Sequence, residues 1–265
     1  MLDQVASRLA AAGCVAPQEE AAELLAAAGG VGELDALVDR RAGGEPLAWV
    51  VGSVTFCGVR VKVRPEVYVP RHQTEQLARR AAALLPRRGV AVDLCTGSGA
   101  IACVLQLGSP SATVLATDVD PNAVACAREN GVDARLGDLD APLPSAVLGT
   151  VDVMTAVVPY VPTGELPFLP RDAVAFEPRH ALDGGDDGLR VLTSVVERSM
   201  RWLRPGGWLL LELGGEQAAP AGDHMGRAGF VDISVLTDDE GDDRAIEGRC
   251  PVAADPPGRG PVRGR

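Results

Sequence analysis

The 265-residue sequence predicts an α/β protein: a doubly wound, mostly parallel sheet of seven strands, preceded by a small helical domain and a β-hairpin linker. Three observations predict it. From Gly89 onward five short runs rich in leucine and β-branched residues (GVAVDLCTG, TVLATDVD, ARLGD, VDVMTAVV and GWLLLELG) are separated mostly by stretches of helical periodicity. Strands that alternate with helices build parallel sheets. The first run ends in a glycine turn that opens a helix. The last two runs, ISVLT and RAIEGRC, break the alternation and flank the acidic turn Asp238 to Asp243, the pattern of a closing antiparallel hairpin.

Each element follows from its own stretch. Residues 1–45 carry leucine and alanine at helical spacing in QEEAAELLAAAG and GELDALVDRRAGG, with Gly29-Gly30 and Gly43-Gly44 as stops, which gives a helical N-terminal domain of about three helices. Residues 46–66 contain AWVVGSVTFCGVRVKVR, whose β-branched alternation around Gly58 reads as a hairpin linking two domains. The α/β domain occupies residues 67–250 and begins with a helix from Arg71 to Leu85, closed by Pro86. The final PVAADPPGRGPVRGR, residues 251–265, has too little apolar surface to order itself and is expected to be a disordered tail.

Composition narrows the function. Of the residues, 46% are hydrophobic and 23% charged, enough to bury a sizeable core, and 36 acids against 25 bases leave a net charge of −11. Phosphate-backbone binding draws on clustered Lys and Arg, so a nucleic acid is not expected as the direct substrate, and a basic partner surface suits the chain better. The apolar stretches stop well short of the roughly 18 residues a membrane span needs, and MLDQVASRLAAAGC has an acid early and no basic region before an apolar block. A cytoplasmic protein with no membrane association is expected. Its six cysteines (Cys14, Cys57, Cys95, Cys103, Cys126 and Cys250) form no C-x-x-C pair and have no histidine cluster beside them, so they read as free thiols and no metal site is expected.

The chemistry starts at the first turn. Cys95-Thr96-Gly97-Ser98-Gly99 follows the first strand and opens a helix, with glycines where a side chain would keep a ligand off the backbone. A tight turn needs glycine in any case, so the turn by itself is weak evidence. The dinucleotide motif G-x-G-x-x-G would place its third glycine at Ala102, which disfavours a nicotinamide cofactor. Asp118 ends the second strand about 20 residues beyond the glycines, where an acid takes both hydroxyls of a ribose. A nucleoside cofactor is therefore indicated. Asp120-Pro121 reads as a helix N-cap with proline at the first helical position. A third strand ends at Gly137-Asp138-Leu139, which puts a carboxylate and an apolar side chain where they suit an adenine amino group and ring, although a solvated turn acid explains Asp138 equally well on local sequence.

The fourth run ends abruptly in Val157-Val158-Pro159-Tyr160, at the sheet edge where α/β proteins present their chemistry. The order DLCTGSGAIA, ATDVDPNAVACARENG, GDL, VDVMTAVVPY, FEPRHALDGGDDGL and LRPGGWLLLELGGEQ resembles the class I S-adenosylmethionine methyltransferases, and within them the HemK/PrmC-like protein-glutamine methyltransferases. PRHQTE, at Pro70 to Glu75, resembles that family's Pro-Arg-x-x-Thr-Glu segment. The resemblance runs from Gly44 to Arg249. It implies a Rossmann-like methyltransferase fold and S-adenosylmethionine as cofactor, leaving S-adenosylhomocysteine as product. By position, Cys95 to Gly99 would wrap the methionine part, Asp118 the ribose, Asp138 and Leu139 the adenine, with Arg71 and Thr74 also on the cofactor side. The family's Asn-Pro-Pro-Tyr motif falls on Val157, Val158, Pro159 and Tyr160, the catalytic segment. There the asparagine side chain and the following backbone carbonyl grip the two hydrogens of a substrate amide, and Val157 supplies no such acceptor.

The helical zone looks shorter than the family's substrate-docking domain, so a protein substrate is implied without its identity. The resemblance implies methyl transfer to a glutamine amide. Two alternatives stay open: a methyltransferase for another nitrogen or oxygen nucleophile of a small molecule, and a catalytically weak cofactor-binding partner protein.

Overall fold

Three helices, α1 (Leu2–Ala11), α2 (Pro17–Ala27) and α3 (Val31–Ala42), open the chain in the computed structural model, which describes residues 1–252. The expected tail lies, from residue 253 on, outside the described residues. Pro17 sits in the first turn of α2, and Glu19 and Glu20 oppose the helix dipole there. Leu9, Leu24 and Val38 meet in a core of their own, and Arg41 Nε donates to Glu20 Oε2 at 2.6 Å to tie α3 to α2.

A short helix, α4 (Leu47–Val51), stands where the hairpin was expected to begin. The β-branched content of AWVV suggested a strand, but consecutive burial of Ala48, Trp49 and Val50 against two different clusters outweighs that weak local preference. Trp49 Nε1 donates to the Val67 carbonyl at 2.9 Å, and Gly52 at φ +76° ends the helix. Only then come β1 (Ser53–Phe56) and β2 (Val59–Lys62), antiparallel about Cys57 and Gly58, with Phe56 and Val61 turned into the main core.

The main domain runs α5 (Thr74–Leu84), β3 (Val90–Leu94), α6 (Ala100–Gly108), β4 (Thr113–Asp118), α7 (Pro121–Glu129), β5 (Asp133–Leu136) and β6 (Val151–Ala156). After them come β7 (Val161–Pro162), α8 (Arg171–Phe176), β8 (Asp183–Gly185), α9 (Arg190–Ser199), β9 (Leu203–Glu212), α10 (Ala218–Ala228), β10 (Val231–Thr237) and β11 (Asp243–Arg249). Seven strands form one sheet in the order β10-β11-β9-β6-β3-β4-β5. Pairing is parallel from β9 to β5, whereas β11 runs antiparallel to both its neighbours. Apolar clusters cover both faces, one under α9 and α10 and the other under α5 and α6. The chain winds outward from β3 to β5 and then returns to β6 on the other side of β3. That reversal opens a crevice beyond the carboxyl ends of β3 and β6.

Two boundaries differ from expectation in ways that matter there. Helix α5 begins at Thr74 rather than Arg71, which leaves residues 71–73 as a turn facing the crevice. Strand β5 stops at Leu136, so Asp138 and Leu139 lie in a following turn, with Leu139 at φ +47°.

Candidate functional site

A cavity of about 1100 Å³ occupies the crevice. Strand β3 brings Asp93 to it fully buried, and the hydroxyls of Thr96 and Thr155 donate to the two carboxylate oxygens at 2.6 and 2.7 Å. Burial pushes this carboxyl up to about 6 against the pull of those two bonds. The chain then turns sharply, with Cys95 at φ +52° and Gly97 at φ +56°. Open space lies where a Cβ on Gly97 would stand, so the backbone itself is presented to the cavity.

The turn is locked to the next strand. Gly97 N–H donates to Asp118 Oδ2 at 2.8 Å and Asp120 N–H donates to Asp118 Oδ1 at 2.9 Å. Burial raises the Asp118 carboxyl and these two donors oppose the rise. Asp120 caps α7 through Asn122 N–H at 2.8 Å, in the role its Asp-Pro sequence suggested, and lies 3.2 Å from His180 Nε2. Cys95, Thr96, Gly97 and Ser98 all line the cavity, and Ser98 Oγ is buried without a hydrogen-bond partner among the described residues.

Gly99 stands behind the cavity wall, where a Cβ would lie 3.0 Å from Val132 Cγ2 and 3.1 Å from Ala127 Cβ. Its glycine lets α6 approach the end of α7. At the rim, Leu139 is buried, while Asp138 is exposed and accepts from Arg198 Nη1 at 2.8 Å.

Val157, Val158, Pro159 and Tyr160 line the other end of the same cavity. Val157 packs half-buried against the α5-side cluster, and the Val158 side chain is 1% exposed in the α9-side cluster, so Val158 offers only its backbone. The turn is held from behind. Gln217 Nε2 donates to the Tyr160 carbonyl at 2.8 Å, and a Cβ on Gly188 would lie only 2.1 Å from that same oxygen. Two of the glycines of DGGDDG, Gly184 and Gly188, are therefore needed for close approach to the Pro159-Tyr160 backbone. Tyr160 Oη donates to Glu212 Oε1 at 3.0 Å, and burial beside that acid pushes the phenol well above its ordinary range.

Arg71 and Thr74 also line the cavity. The Arg71 Nη2 group donates to Glu177 Oε2 at 2.6 Å and its guanidinium stacks 4.9 Å from the centre of the Tyr68 ring, while Thr74 Oγ1 is buried without a partner among the described residues. Sequence reasoning did not single out Asp93, Gln73, Glu212 or Gln217. Asp93 stands at the last-but-one position of a strand just before the turn and Gln73 lies inside PRHQTE, so both carried a signal; Glu212 and Gln217 acquire meaning only through contacts distant in sequence.

The parallel sheet with one reversed strand, the glycine turn and the acid closing the next strand define a Rossmann-like methyltransferase. The methyltransferase small domain family matches residues 73–142. A release factor glutamine methyltransferase from Geobacter sulfurreducens is 38% identical over 219 residues, covering 80% of this chain and 76% of that one. Another, from Moorella thermoacetica, is 38% identical over 274 residues, covering 92% and 95%. So broad an alignment takes in part of the N-terminal helical zone that looked short. A methyltransferase structure from Pyrococcus furiosus shares the fold at a TM-score of 0.51 and 20% identity, covering 74% of this chain and 90% of that one. The chain belongs to the release factor glutamine methyltransferase family.

S-adenosylmethionine is the methyl donor of such enzymes. The site suits it: a donor with a sulfonium and an ammonium meets a cavity lined by Asp93, Asp118 and Asp138, with bare backbone at Gly97 and the unpartnered Ser98 Oγ.

Proposed function

We propose that this chain methylates the side-chain amide nitrogen of a glutamine in a protein, with S-adenosylmethionine as donor, in the cytoplasm. One observation carries the reading. A single cavity joins the Gly97–Asp118 turn to the Val158–Tyr160 turn, so donor and acceptor can meet inside it. The carboxylate of Asp118 holds the ribose, Cys95 to Ser98 wrap the methionine part, and Asp138 with Leu139 frames the adenine. Arg71 and Thr74 complete the wall on that side.

When bound, the donor supplies an electrophilic methyl group. An amide nitrogen is a poor nucleophile because its lone pair is delocalised, so the protein's task is to fix that nitrogen in line and accept its hydrogens. The Val158 carbonyl accepts one N–H. Pro159 fixes the turn that aims this carbonyl, and Tyr160, tied to Glu212, walls the acceptor end. The relatives are named for release factors, and a net charge of −11 favours a substrate with a basic surface. Among the described residues no helix is long and apolar enough to cross a membrane.

A second reading rests on Val157, whose side chain offers no acceptor: the site would then take a different nitrogen or oxygen nucleophile. Isotope-labelled methyl transfer into release-factor protein, followed by peptide mass spectrometry, separates the two. Label on a glutamine supports the first reading, and label confined to small molecules supports the second.

A further inference from the structure

An amide nitrogen in this site has two hydrogens and, from the Val157–Tyr160 turn, one acceptor. The second acceptor must come from another element. Gln73 is the group placed to provide it. It lies in the turn that α5 leaves uncoiled, lines the same cavity as Val157 and Tyr160, and spends none of its side chain on capping α5.

Its amide is oriented by two contacts. Gln73 Nε2 donates to Tyr160 Oη at 3.0 Å and to Glu212 Oε1 at 3.2 Å. Tyr160 Oη donates to the same Glu212 oxygen, so Glu212 Oε1 acts as an acceptor and only the NH₂ side of Gln73 can face it. Reversing the amide would set oxygen against oxygen. The orientation is therefore assigned from the hydrogen-bond network, with Glu212 Oε1 as the shared acceptor. The opposite branch, Gln73 Oε1, accepts no hydrogen bond among the described residues. Glu212 continues β9 one residue beyond the Ala156↔Leu211 pair, which puts it level with Val157. Gln73 is thus anchored beside the residue whose own side chain has no acceptor.

We propose that the side-chain carbonyl of Gln73 replaces the acceptor missing at Val157 and, with the Val158 carbonyl, receives the second N–H of the substrate amide. This rests on the glutamine reading above. Gln73 is then a substrate-contacting residue, with Tyr160 and Glu212 as the groups that position it. A site with two acceptors also discriminates: a hydroxyl substrate has one hydrogen and leaves one acceptor unpaired, so the preference for an NH₂ group over a hydroxyl survives the change at position 157.

The test uses the full chain, labelled donor and a glutamine-containing peptide. Gln73→Met keeps the length and removes the acceptor. It should lower kcat by about 10- to 100-fold, with S-adenosylmethionine affinity by calorimetry within about threefold of wild type. Adding Val157→Asn should restore at least about tenfold of that loss, a larger gain in turnover than the same change gives in wild type. Wild-type turnover in Gln73→Met, or equal gains from Val157→Asn in both backgrounds, overturns the proposal. If Gln73→Met does not fold, Gln73→Asn decides: its carbonyl is withdrawn by one methylene, and an unchanged kcat at an unchanged melting temperature overturns the proposal. Wild type that binds the donor but labels no glutamine overturns the glutamine reading along with it. Failure of the Gln73 role alone looks different, since wild type then labels glutamine and the variants match it.

Discussion

The two ends of the cavity are built differently. The cofactor end is mostly local: Gly97 and Asp118 are 21 residues apart, Thr96 and Asp93 three, and Asp118 and Asp120 two. The acceptor end is held by side chains from distant elements, with Gln73 and Glu212 139 residues apart and Gln217 and Tyr160 57 apart. Backbone donors on one strand-turn-helix unit tolerate change in the residues around them. A side-chain network can instead exchange one member for another, and the Val157–Gln73 pair has that character.

The sharpest way to break the comparison is to damage the acceptor end alone. Gly188 is at φ +74° and a Cβ would press on the Tyr160 carbonyl, so Gly188→Ala should cost about 2–4 kcal/mol in strain and overpacking. Methyl transfer should fall by more than about tenfold while donor affinity, by calorimetry, changes by less than about threefold. A parallel loss of both would show that the two ends are one cooperative unit.

Asp93 offers the next largest effect, this time at the cofactor end. Its folded carboxyl titrates at about 6 against an ordinary value of 3.8, so the folded state binds the proton more tightly than the unfolded state. Stability from this group is complete below about pH 4, declines as pH rises to about 6 and is flat above; the loss approaches about 3 kcal/mol. Asp93→Asn should abolish that decline in melts of the donor-free protein between pH 4 and 7. An unchanged pH profile would assign the slope to other groups.

Asp118→Ala should weaken S-adenosylmethionine binding at least about tenfold, since it removes a charge-assisted partner worth about 1.5–3 kcal/mol and frees the Gly97 and Asp120 amides. Affinity equal to wild type in a folded variant would place the ribose elsewhere. The smallest effect is the most informative about the acceptor end: Val157→Asn should gain less turnover in wild type than in Gln73→Met, because wild type already has the second acceptor.

The contrast also explains what was legible in the sequence. The alternation of strands and helices, the turn Cys95 to Gly99 and the closing acid Asp118 are short-range patterns, and all could be read. A glycine at position 99 serves either ligand approach or helix packing, and the packing against Ala127 and Val132 becomes visible only in three dimensions. LAWVV was misread as strand because five apolar residues carry no period, and its partners, in the helical core and at Val67, lie outside it. Nothing local linked Gln73 to Glu212. Val157 stood out as a defect in one motif, while its compensation lay in another element.

The central claim is methyl transfer to a glutamine nitrogen at the Val158–Tyr160 end of the cavity, and the most direct measurement is site-resolved mass spectrometry of release-factor protein incubated with the full chain and deuteromethyl-labelled donor. The account predicts label on a single glutamine side chain, lost with Asp118→Ala and strongly reduced with Gly188→Ala. Label on any other residue type, or labelling that survives Asp118→Ala at wild-type rate, would contradict it.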